Sequence, residues 1–371
     1  MWQTEVLYHW PNRYCEPIEN WAMQLRSLNW QEKVHYLNHY QCDRLSDDFQ
    51  NHLQKTLQLI DLDQLSMQDE IALDHYRLTP KKRHERNHIL NFLQQQQIQP
   101  CYFWDFAGGM GHLSRGLSKV LQTAGHCLDA DENLITSAHD FANEQVEFEV
   151  QKIEDFDATR AKNNHLMVGL HCCGELTPQI LQHFESSEAS WLLSVGCCYF
   201  KDSSNYPLEN EHISFHAKML AAKGFRPVSV QDLQTREQVK TYRYYFEFWY
   251  REQFPHHPVT VLKSFLPHFY QGSFDQYFKE CCRRLNLHPK DQPLLSELQQ
   301  RYGDEFSRLI SLGLLREIFS RPLEIYLTIQ RALKLKSDFQ IYQVFDRQIS
   351  QRNLAIFSQK DGVPNDSSDW S

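Results

Sequence analysis

The chain has 371 residues and a formal net charge of −9, with 41% hydrophobic and 23% charged residues. This length accommodates a sizeable core and two domains, and the composition is that of a globular rather than a disordered protein. The negative charge excludes an overall basic field that would hold nucleic acid phosphates without sequence preference, so only a local basic patch would serve that purpose.

Neither the apolar stretches nor the opening residues suggest a membrane or secreted protein. No apolar stretch approaches the roughly 20 residues that cross a bilayer, and the opening MWQTEVLYHW lacks a signal pattern. Six of the ten cysteines form adjacent pairs, at 172–173, 197–198 and 281–282. Small secreted disulfide scaffolds are shorter and denser in cysteine, so we expect reduced thiols in a cytoplasmic protein that contacts no membrane.

Residues 1–74 are predicted to form a helical N-terminal region, because apolar and aromatic residues recur at helix-like spacing and no glycine precedes Gly108. Residues 75–257 alternate short apolar runs with helical ones, which indicates a parallel sheet covered on both faces. The predicted strands are Tyr102 to Phe106, a second ending at Asp129, Val146 to Val150, Leu166 to His171, and Trp191 to Gly196.

The later part of the chain is less regular. A helix from Ile213 to Lys223 is expected to stop at Gly224, followed by β-rich runs from Phe225 to Val230 and from Tyr242 to Tyr250. Residues 258–345 are predicted to be a helical insertion or subdomain, and residues 346–371 a closing strand (Leu354 to Ser358) with a disordered tail from Lys360. The predicted fold class is α/β and Rossmann-like, with a mostly parallel seven-stranded sheet and helical additions at both ends.

A glycine-rich turn follows the first predicted strand. In WDFAGGMGHLSRGL, Gly108, Gly109 and Gly111 lie between a strand and a helix, where glycines permit unusual backbone angles and let a ligand approach the helix N-terminal amides. Asp129 closes the second strand, where its carboxylate could accept both ribose hydroxyls of an adenosine. Such a loop by itself is also compatible with a purely structural role.

Two adenosine-containing ligands fit this spacing. A dinucleotide would need a third glycine where Ser114 stands, so the fit to NAD is imperfect. Asp105, which closes the first strand just before the glycines, favours a methyltransferase, in which this residue orients the loop and the amino group of the methionine part. The alternative for Asp105 is a helix or turn cap.

Four segments resemble the methyltransferase-domain family that includes methyltransferase-like twenty-five and its relatives. They are LTPKKRHE, DFAGGMGHLS, GLHCCGELT and VGCCYF, and SQRNLAIFSQK is a weaker fifth match. The resemblance spans roughly residues 74–360 and implies a class I methyltransferase that uses S-adenosyl-L-methionine. The cofactor-binding residues carried over are Lys82, Asp105, Ala107, Gly109, Gly111, Asp129, Ala130, Glu154 and His171.

The sequence departs from the family pattern at three positions. Ala107 replaces the usual first glycine, which is tolerable if its backbone keeps a negative φ. Phe200 stands where a polar residue often follows the tyrosine, which puts the acceptor-side chemistry in doubt. Gln351 replaces a proline of the closing motif.

The acceptor side is predicted at the ends of the fourth and fifth strands. Methyl transfer is a direct displacement, so the protein mainly aligns the acceptor, and a base is optional. If a base is needed, His171 is suited to it near neutral pH, with Glu175 and Tyr199 as further catalytic candidates. His171 could equally shape the cofactor pocket by hydrogen bonding.

The paired cysteines are expected to be small buried hydrophobic residues. The alternative is a metal site formed by His171 and the paired cysteines. No C-x-x-C loop is present, so no bound metal is expected. For the basic cluster at residues 81–83, a solvated helix face competes with contact between Lys81 or Lys82 and the cofactor carboxylate or an anionic acceptor.

The leading functional hypothesis is methyl transfer to a macromolecule, RNA or protein, because the flanking helical regions exceed what cofactor binding needs. A small-molecule acceptor is the second hypothesis, favoured if an enclosed apolar pocket lies beside Tyr199. A binding protein that keeps the cofactor fold without turnover is the third, and an NAD-dependent enzyme is less favoured.

Overall fold

Seven strands form one sheet in the computed structural model, which describes residues 16–60, 62, 78–139, 145–202, 213–223, 227–256, 265, 267–289 and 291–360. The predicted disordered tail beyond Lys360 and the predicted helix stop at Gly224 lie outside these residues. The strands are β1 (Tyr102–Phe106), β2 (Ala124–Asp129), β3 (Val146–Val150), β4 (His165–Cys173), β5 (Trp191–Cys197), β6 (Phe339–Gln343) and β7 (Leu354–Gln359).

The sheet order is β3-β2-β1-β4-β5-β7-β6. The first five strands are mutually parallel, and β7 runs antiparallel to both β5 and β6. The order reverses at β1, which places a crevice beyond the carboxyl ends of β1 and β4, where open α/β sheets bind their ligands. The predicted fold class is thereby confirmed.

Helices cover the sheet or form a second unit. They are α1 (Glu16–Ser27), α2 (Trp30–His39), α3 (Asp47–Ile60), α4 (Pro80–Gln95), α5 (His112–Leu121), α6 (Glu132–His139), α7 (Leu176–Ser186), α8 (Phe215–Ala221), α9 (Val230–Gln253), α10 (Pro267–Gln271), α11 (Phe274–Arg284), α12 (Leu295–Glu317) and α13 (Ser320–Ala332). Among the described residues, no helix combines the length and apolar character needed to cross a membrane.

The central strands are buried on both faces, as their continuous apolar runs predict. Successive residues alternate between two cores: Leu166 and Val168 of β4 pack with Leu90 of α4, whereas Met167 packs with Phe184 of α7. Because both faces are covered, most side chains within these strands are apolar, with Ser194 in β5 a buried polar exception. The polar residues therefore concentrate at the strand ends.

Two compact units divide the chain. One comprises residues 1–8, 58–226 and 319–371 and contains the sheet; the other comprises residues 9–57 and 227–318. The second unit has its own aromatic core, to which α9 and α11 contribute, for example Phe246, Trp249 and Phe278. The domain bounds drawn from sequence remain a prediction.

The β-rich runs predicted after residue 224 are wrong where the structure describes them: residues 227–229 form no strand, whereas Phe225 lies outside the described residues. Val230 begins α9, and Tyr242 to Tyr250 lie inside that helix. Ser229 and Asp232 form a capping box at its start, with the Asp232 amide donating to Ser229 Oγ at 3.0 Å. Tyr242, Tyr245 and Trp249 recur at spacings of three and four and are all buried, so a helix buries this aromatic stripe where a strand would expose half of it.

Five parallel strands and the closing strand lie where the sequence placed them, to within two residues. β6 was missed, because residues 258–345 were predicted to be helical and Phe339–Gln343 is only a five-residue run. Pairing with β7 makes this segment a strand: Ile341 pairs with Ile356, and Tyr342 pairs with Ala355. A short edge strand depends on its partner more than on its own pattern.

A buried ion pair joins α13 to the segment after β5. Arg331 Nε lies 3.0 Å from Asp202 Oδ2, and both side chains are almost fully buried. The Arg331 guanidinium also donates to the Gly174 carbonyl at 3.2 Å and lies 4.3 Å from the centre of the Tyr199 ring. One side chain thus connects α13 to the segments that follow β4 and β5.

Replacing Arg331 by methionine is expected to lower the free energy of unfolding by about 3–5 kcal/mol, because the buried Asp202 carboxylate would lose the cation 3.0 Å from it. Adding Asp202→Leu should recover part of that loss. Lys279→Met, which removes a surface pair with Asp275 at 2.9 Å, should cost less than about 1 kcal/mol. Urea denaturation measures all three, and an Arg331→Met variant no less stable than the surface control would contradict the ion pair's importance.

Candidate functional site

The carboxyl ends of β1, β2, β4 and β5 meet at one edge of the sheet, because these strands are parallel neighbours. This edge brings together Asp105 at the end of β1, Asp129 at the end of β2, His171 in β4 and Cys197 at the end of β5. The predicted donor-side and acceptor-side residues therefore come from strands that share one crevice.

The loop after β1 has a left-handed backbone at alternate residues. Ala107, Gly109 and Gly111 have φ of 54°, 56° and 68°. The expectation that Ala107 keeps a negative φ is therefore wrong, and its side chain tolerates this strained conformation while packing beside the core. A side chain at Gly111 would collide with Phe148, since an added Cβ would lie 2.3 Å from that ring, so this position requires glycine.

Asp129 holds the loop to the end of β2. Its Oδ2 accepts a hydrogen bond from the Gly109 amide at 2.9 Å, and its Oδ1 accepts one from the Asp131 amide at 2.9 Å. A Cβ at Gly109 would meet nothing closer than Leu134 at 3.7 Å, so this side of the loop is not filled by packing. The carboxylate is fixed at the border of an open surface, as a ribose-binding acidic residue must be.

Asp105 is nearly fully buried beneath the loop, with 1% exposure. Its Oδ2 accepts a hydrogen bond from the Ser114 hydroxyl at 2.5 Å, whereas Oδ1 has no partner among the described residues. Burial raises the pKa of Asp105 to about 7, against the opposing effect of the Ser114 hydrogen bonds. An orphaned buried carboxylate oxygen is ready to accept a hydrogen bond from a cationic ligand group.

The N-terminus of α5 lies directly after this loop. Gly111 occupies the N-cap position and provides no side-chain cap, so the first helix amides remain suited to an anionic group. Burial, together with the charges of Arg115 and Lys82, lowers the pKa of His112 to about 4. Lys82 is exposed in the first turn of α4. Its positive charge acts on His112 at the start of α5.

His171 lies at a β-bulge in β4, where its φ is 61° and the register with β5 shifts. Its Nε2 is 2.8 Å from Glu85 Oε1, which also accepts the Ser350 hydroxyl at 2.6 Å. Burial would raise the pKa of Glu85, but the hydrogen bonds from His171 and Ser350 outweigh it and lower the pKa below its ordinary value. The ionised Glu85 therefore fixes the ring with the Nε2 proton facing it, and His171 Nδ1 has no partner among the described residues.

Glu85 is the site residue that the sequence analysis missed. It belongs to the LTPKKRHE segment, but its place among basic residues suggested a solvated helix face. The signal in the sequence was spacing: Glu85 lies four residues before Ile89 and so shares the apolar face of the helix. In the structure both residues are buried, and Lys81 Nζ lies 3.5 Å from Glu85 Oε1. A carboxylate on the apolar stripe of a helix needs a partner, and His171 is that partner.

The remaining predicted site residues lie in different surroundings. Ala130 and Glu154 are exposed after β2 and β3, and Glu154 lies 3.4 Å from Lys152. Glu175 is exposed at the start of α7 and lines a groove together with Gln179 of α7 and Lys334, which follows α13. These positions leave the predicted roles of Ala130, Glu154 and Glu175 as predictions.

Tyr199 is buried, with its hydroxyl donating to Thr328 Oγ1 at 2.9 Å, and Thr328 in turn donates to the Glu324 carbonyl. Burial raises the pKa of Tyr199 well above its ordinary value. This arrangement supports a packing role for Tyr199 more than proton transfer. The neighbouring Phe200 packs edge-on against Phe215 at 5.9 Å.

The paired cysteines differ from one another. Cys172 is fully buried with its thiol 3.4 Å from the Phe106 carbonyl, and burial raises its pKa, as expected of a packing residue. Cys173 and Cys198 are only half-buried, and Cys173 Sγ lies 2.8 Å from Cys197 Sγ. The hydrogen bond that the Cys197 thiol donates lowers the pKa of Cys173 and raises that of Cys197.

Backbone strain is concentrated at this edge. Ala107, His171 and Cys198 are non-glycine residues with positive φ at the ends of β1, β4 and β5. The other such residues in the described part of the chain lie at helix ends or turns: Tyr40, Gln97, Gln122, Asn164 and Asn286. Left-handed residues at three neighbouring strand ends are typical of a ligand-binding edge.

The part of the chain around this edge is similar to known proteins. Residues 81–203 match a family model described as a methyltransferase domain. A segment of 48 residues is 52% identical to human probable methyltransferase-like protein 25 and 50% identical to its mouse counterpart. Each match covers 13% of this chain and 8% of the relative, so the chain spans only a small part of the length of these curated relatives.

Solved structures give a weaker likeness. An S-adenosylmethionine-dependent methyltransferase from Clostridium acetobutylicum is 12% identical, with a TM-score of 0.25 over 33% of this chain and 50% of that one. This likeness is too low to carry an argument. The similarity to methyltransferases therefore depends on the match of residues 81–203 to the family model, and the fold on the strand order.

The left-handed Ala107 generates a stability prediction. Ala107→Gly is expected to raise the free energy of unfolding by up to about 1 kcal/mol, because relief of the left-handed alanine outweighs the added entropy of glycine in the unfolded chain. Ala158→Gly is the matched control, since Ala158 is also partly exposed and lacks a positive φ; it should lose about 0.5–1 kcal/mol. Equal losses in both variants, measured by urea denaturation, would show that position 107 is unstrained.

Proposed function

We propose that this protein transfers a methyl group from S-adenosylmethionine to a nucleophilic acceptor, because residues 81–203 match a family model described as a methyltransferase domain. The observation that carries the proposal is the pair of carboxylates beside the glycine loop: Asp129, fixed by the Gly109 amide, and Asp105, buried with one oxygen unpartnered. One suits the ribose hydroxyls and the other the amino group of the methionine part.

The other contacts of the loop fit the same ligand. The uncapped amides of α5 and the charge of Lys82 suit the ligand's carboxylate. The Ser114 hydroxyl is bonded to Asp105, so the position where a dinucleotide-binding loop has its third glycine is occupied by a side chain with another role. This supports S-adenosylmethionine over NAD.

S-adenosylmethionine supplies an electrophilic methyl carbon, so the protein must align an acceptor, exclude water and, where needed, remove a proton. We assign proton removal to His171, whose Nδ1 is buried and has no partner among the described residues, so that its lone pair remains available. Glu85 supports this role by holding the Nε2 proton and by stabilising the cationic ring that forms. The acceptor's electron pair forms the new bond to carbon while the carbon–sulfur pair stays with sulfur.

For the acceptor, we propose a macromolecule, RNA or protein. The second unit supports this, because its own aromatic core makes it a separate structural body beyond what the sheet needs for cofactor binding. The net charge of −9 favours protein over RNA, since phosphate recognition would need a localised basic surface. Free thiols at nine described cysteines support a reducing, cytoplasmic setting for the reaction.

Asp129→Asn is expected to weaken S-adenosylmethionine binding by about 10- to 100-fold, because hydrogen bonds to a charged carboxylate contribute about 1.5–3 kcal/mol. Isothermal titration calorimetry on the full chain measures this. Asp157→Asn is the matched control, because Asp157 is an exposed carboxylate that caps a short helical turn. Equal affinity in the two variants would exclude Asp129 from the site, and absence of binding in the wild type would overturn the proposed function.

The same variants test the acceptor. Cell extract lacking this protein is incubated with S-adenosylmethionine labelled in the methyl group and each purified variant. Label should enter a macromolecular fraction with the wild type and Asp157→Asn but fall at least tenfold with Asp129→Asn. Protease-sensitive label identifies a protein acceptor and nuclease-sensitive label an RNA, whereas label only in small molecules contradicts a macromolecular acceptor.

Asp105 generates a pH prediction. Its raised pKa of about 7 means that the carboxyl is protonated in the folded protein below that pH. The ligand's ammonium group binds the ionised form, so affinity should rise as pH increases from 5 to 7, by up to about tenfold per unit, and then level off.

Asp105→Asn should flatten this profile, because the asparagine side chain does not titrate in this range. Calorimetry in two buffers with different ionisation enthalpies should also show proton release on binding to the wild type near pH 6. An identical pH profile in wild type and Asp105→Asn would exclude Asp105 as the titrating group.

A further inference from the structure

Three thiols converge at the carboxyl ends of β4 and β5. The Sγ atoms of Cys173, Cys197 and Cys198 all lie within 4.8 Å of one another. The Cys173–Cys197 distance is 2.8 Å and the Cys197–Cys198 distance is 3.7 Å. Among the described residues, this is the group of potential metal ligands that meets such a spacing.

The backbone explains the convergence. Cys173 and Cys197 are direct neighbours in the parallel register of β4 and β5, so their side chains leave the same face of the sheet. Cys198 would point to the opposite face if the strand continued. Its left-handed conformation, with φ of 53°, ends the strand instead and allows its thiol to lie beside the other two.

Cys198 has a left-handed backbone at the start of the short helical turn Tyr199–Lys201. A left-handed conformation is less stable for cysteine than the regular strand conformation. Cys172, which is fully buried, remains inside β4 and packs as an apolar residue. The left-handed conformation of Cys198 instead brings a third sulfur towards a pair that already meets.

The distances suit tetrahedral zinc. Zinc binds thiolate sulfur at about 2.3 Å, so two sulfurs of one tetrahedral site lie roughly 3.8 Å apart. The observed separations, from 2.8 Å to at most 4.8 Å, bracket this value, so side-chain rotations that move the sulfur atoms by up to about 1 Å would satisfy it. Oxygen-preferring cations are poorly matched by three sulfurs.

The local charge is also compatible. Three thiolates and one Zn²⁺ carry a formal charge of −1, which a cation nearby would offset. The Arg352 guanidinium, from the segment before β7, lies 3.9 Å from Cys197 Sγ. It can donate to a metal-bound thiolate, as partners surrounding a metal site commonly do.

We propose that Cys173, Cys197 and Cys198 bind one Zn²⁺ through three thiolates, with a fourth coordination position open to water or a substrate atom. On binding, three S–H bonds lose their protons to solvent and three S–Zn bonds form, with no change of oxidation state. Three protein ligands with an open position are characteristic of catalytic rather than structural zinc sites. The proposal does not depend on methyl transfer, because its test reads metal content and thiol protection.

The first test measures zinc in the full chain, expressed with zinc and purified under a phosphine reductant without a metal-affinity resin. Inductively coupled plasma mass spectrometry should find about one zinc per chain in the wild type. Cys173→Ser and Cys198→Ser should each retain less than about one fifth of it. Cys101→Ser is the control, because Cys101 is exposed just before β1, at the opposite edge of the sheet, and should retain the metal.

The second test uses the wild type alone, so it remains decisive if the serine variants fail to fold. After removal of metal by a chelator, iodoacetamide should label Cys173 and Cys198; added Zn²⁺ should slow this labelling at least tenfold. Cys101 should be labelled at the same rate in both states. Peptide mass spectrometry measures each rate.

Two results would overturn the zinc site. One is substoichiometric zinc after reconstitution together with no protection of Cys173 and Cys198. The other is a peptide pair 2 Da lighter than its reduced mass, joined through Cys173 and Cys197 in protein kept under reductant, which would identify the close sulfurs as a disulfide.

Discussion

The buried ion pair between Arg331 and Asp202 is the constraint on which the acceptor side of the sheet edge depends. Arg331 comes from α13, after the whole of the second unit in the chain, yet it contacts the segment after β5 and the Gly174 carbonyl after β4. Such a pair adds little net stability over an apolar replacement, but loss of either charge is costly, so it specifies one arrangement. The chain between β5 and β6 is long, and this ion pair joins its two ends, because Asp202 follows β5 and Arg331 lies in α13 before β6.

That fixed frame permits strain nearby. The bulge at His171 and the left-handed Cys198 lie at the ends of the same two strands that Arg331 connects. Strained residues persist where the surroundings over-determine them, and at binding sites they aim side chains that a regular strand would point elsewhere. Here the bulge aims His171 at Glu85 of α4, and the turn after β5 brings a third thiol to Cys173 and Cys197.

Two buried carboxylates at the sheet edge, Asp105 beneath the glycine loop and Glu85 beside His171, have pKa values shifted in opposite directions. Asp105 is buried with one hydroxyl partner, so burial dominates and its pKa rises to about 7. Glu85 is buried with two hydrogen-bond donors and Lys81 nearby, so its pKa is lowered and it stays ionised. The first is ready to exchange its proton for a cationic ligand group; the second holds a histidine in one orientation. These are the properties that a donor pocket and a base-positioning group require.

The sequence by itself determined β1 to β5, the glycine loop with Asp105 and Asp129, and the placement of His171, because strands buried on both faces appear as apolar runs and polar residues can follow only at their ends. Only the tertiary structure decided the helical state of residues 242–250, the edge strand β6, the left-handed Ala107, the Glu85–His171 pair and the meeting of Cys173 with Cys197 and Cys198. The physical reason is that the strands and strand-end residues follow from the local periodicity of burial. The features that the sequence did not predict depend on contacts with residues distant in the chain, which a local sequence pattern does not contain.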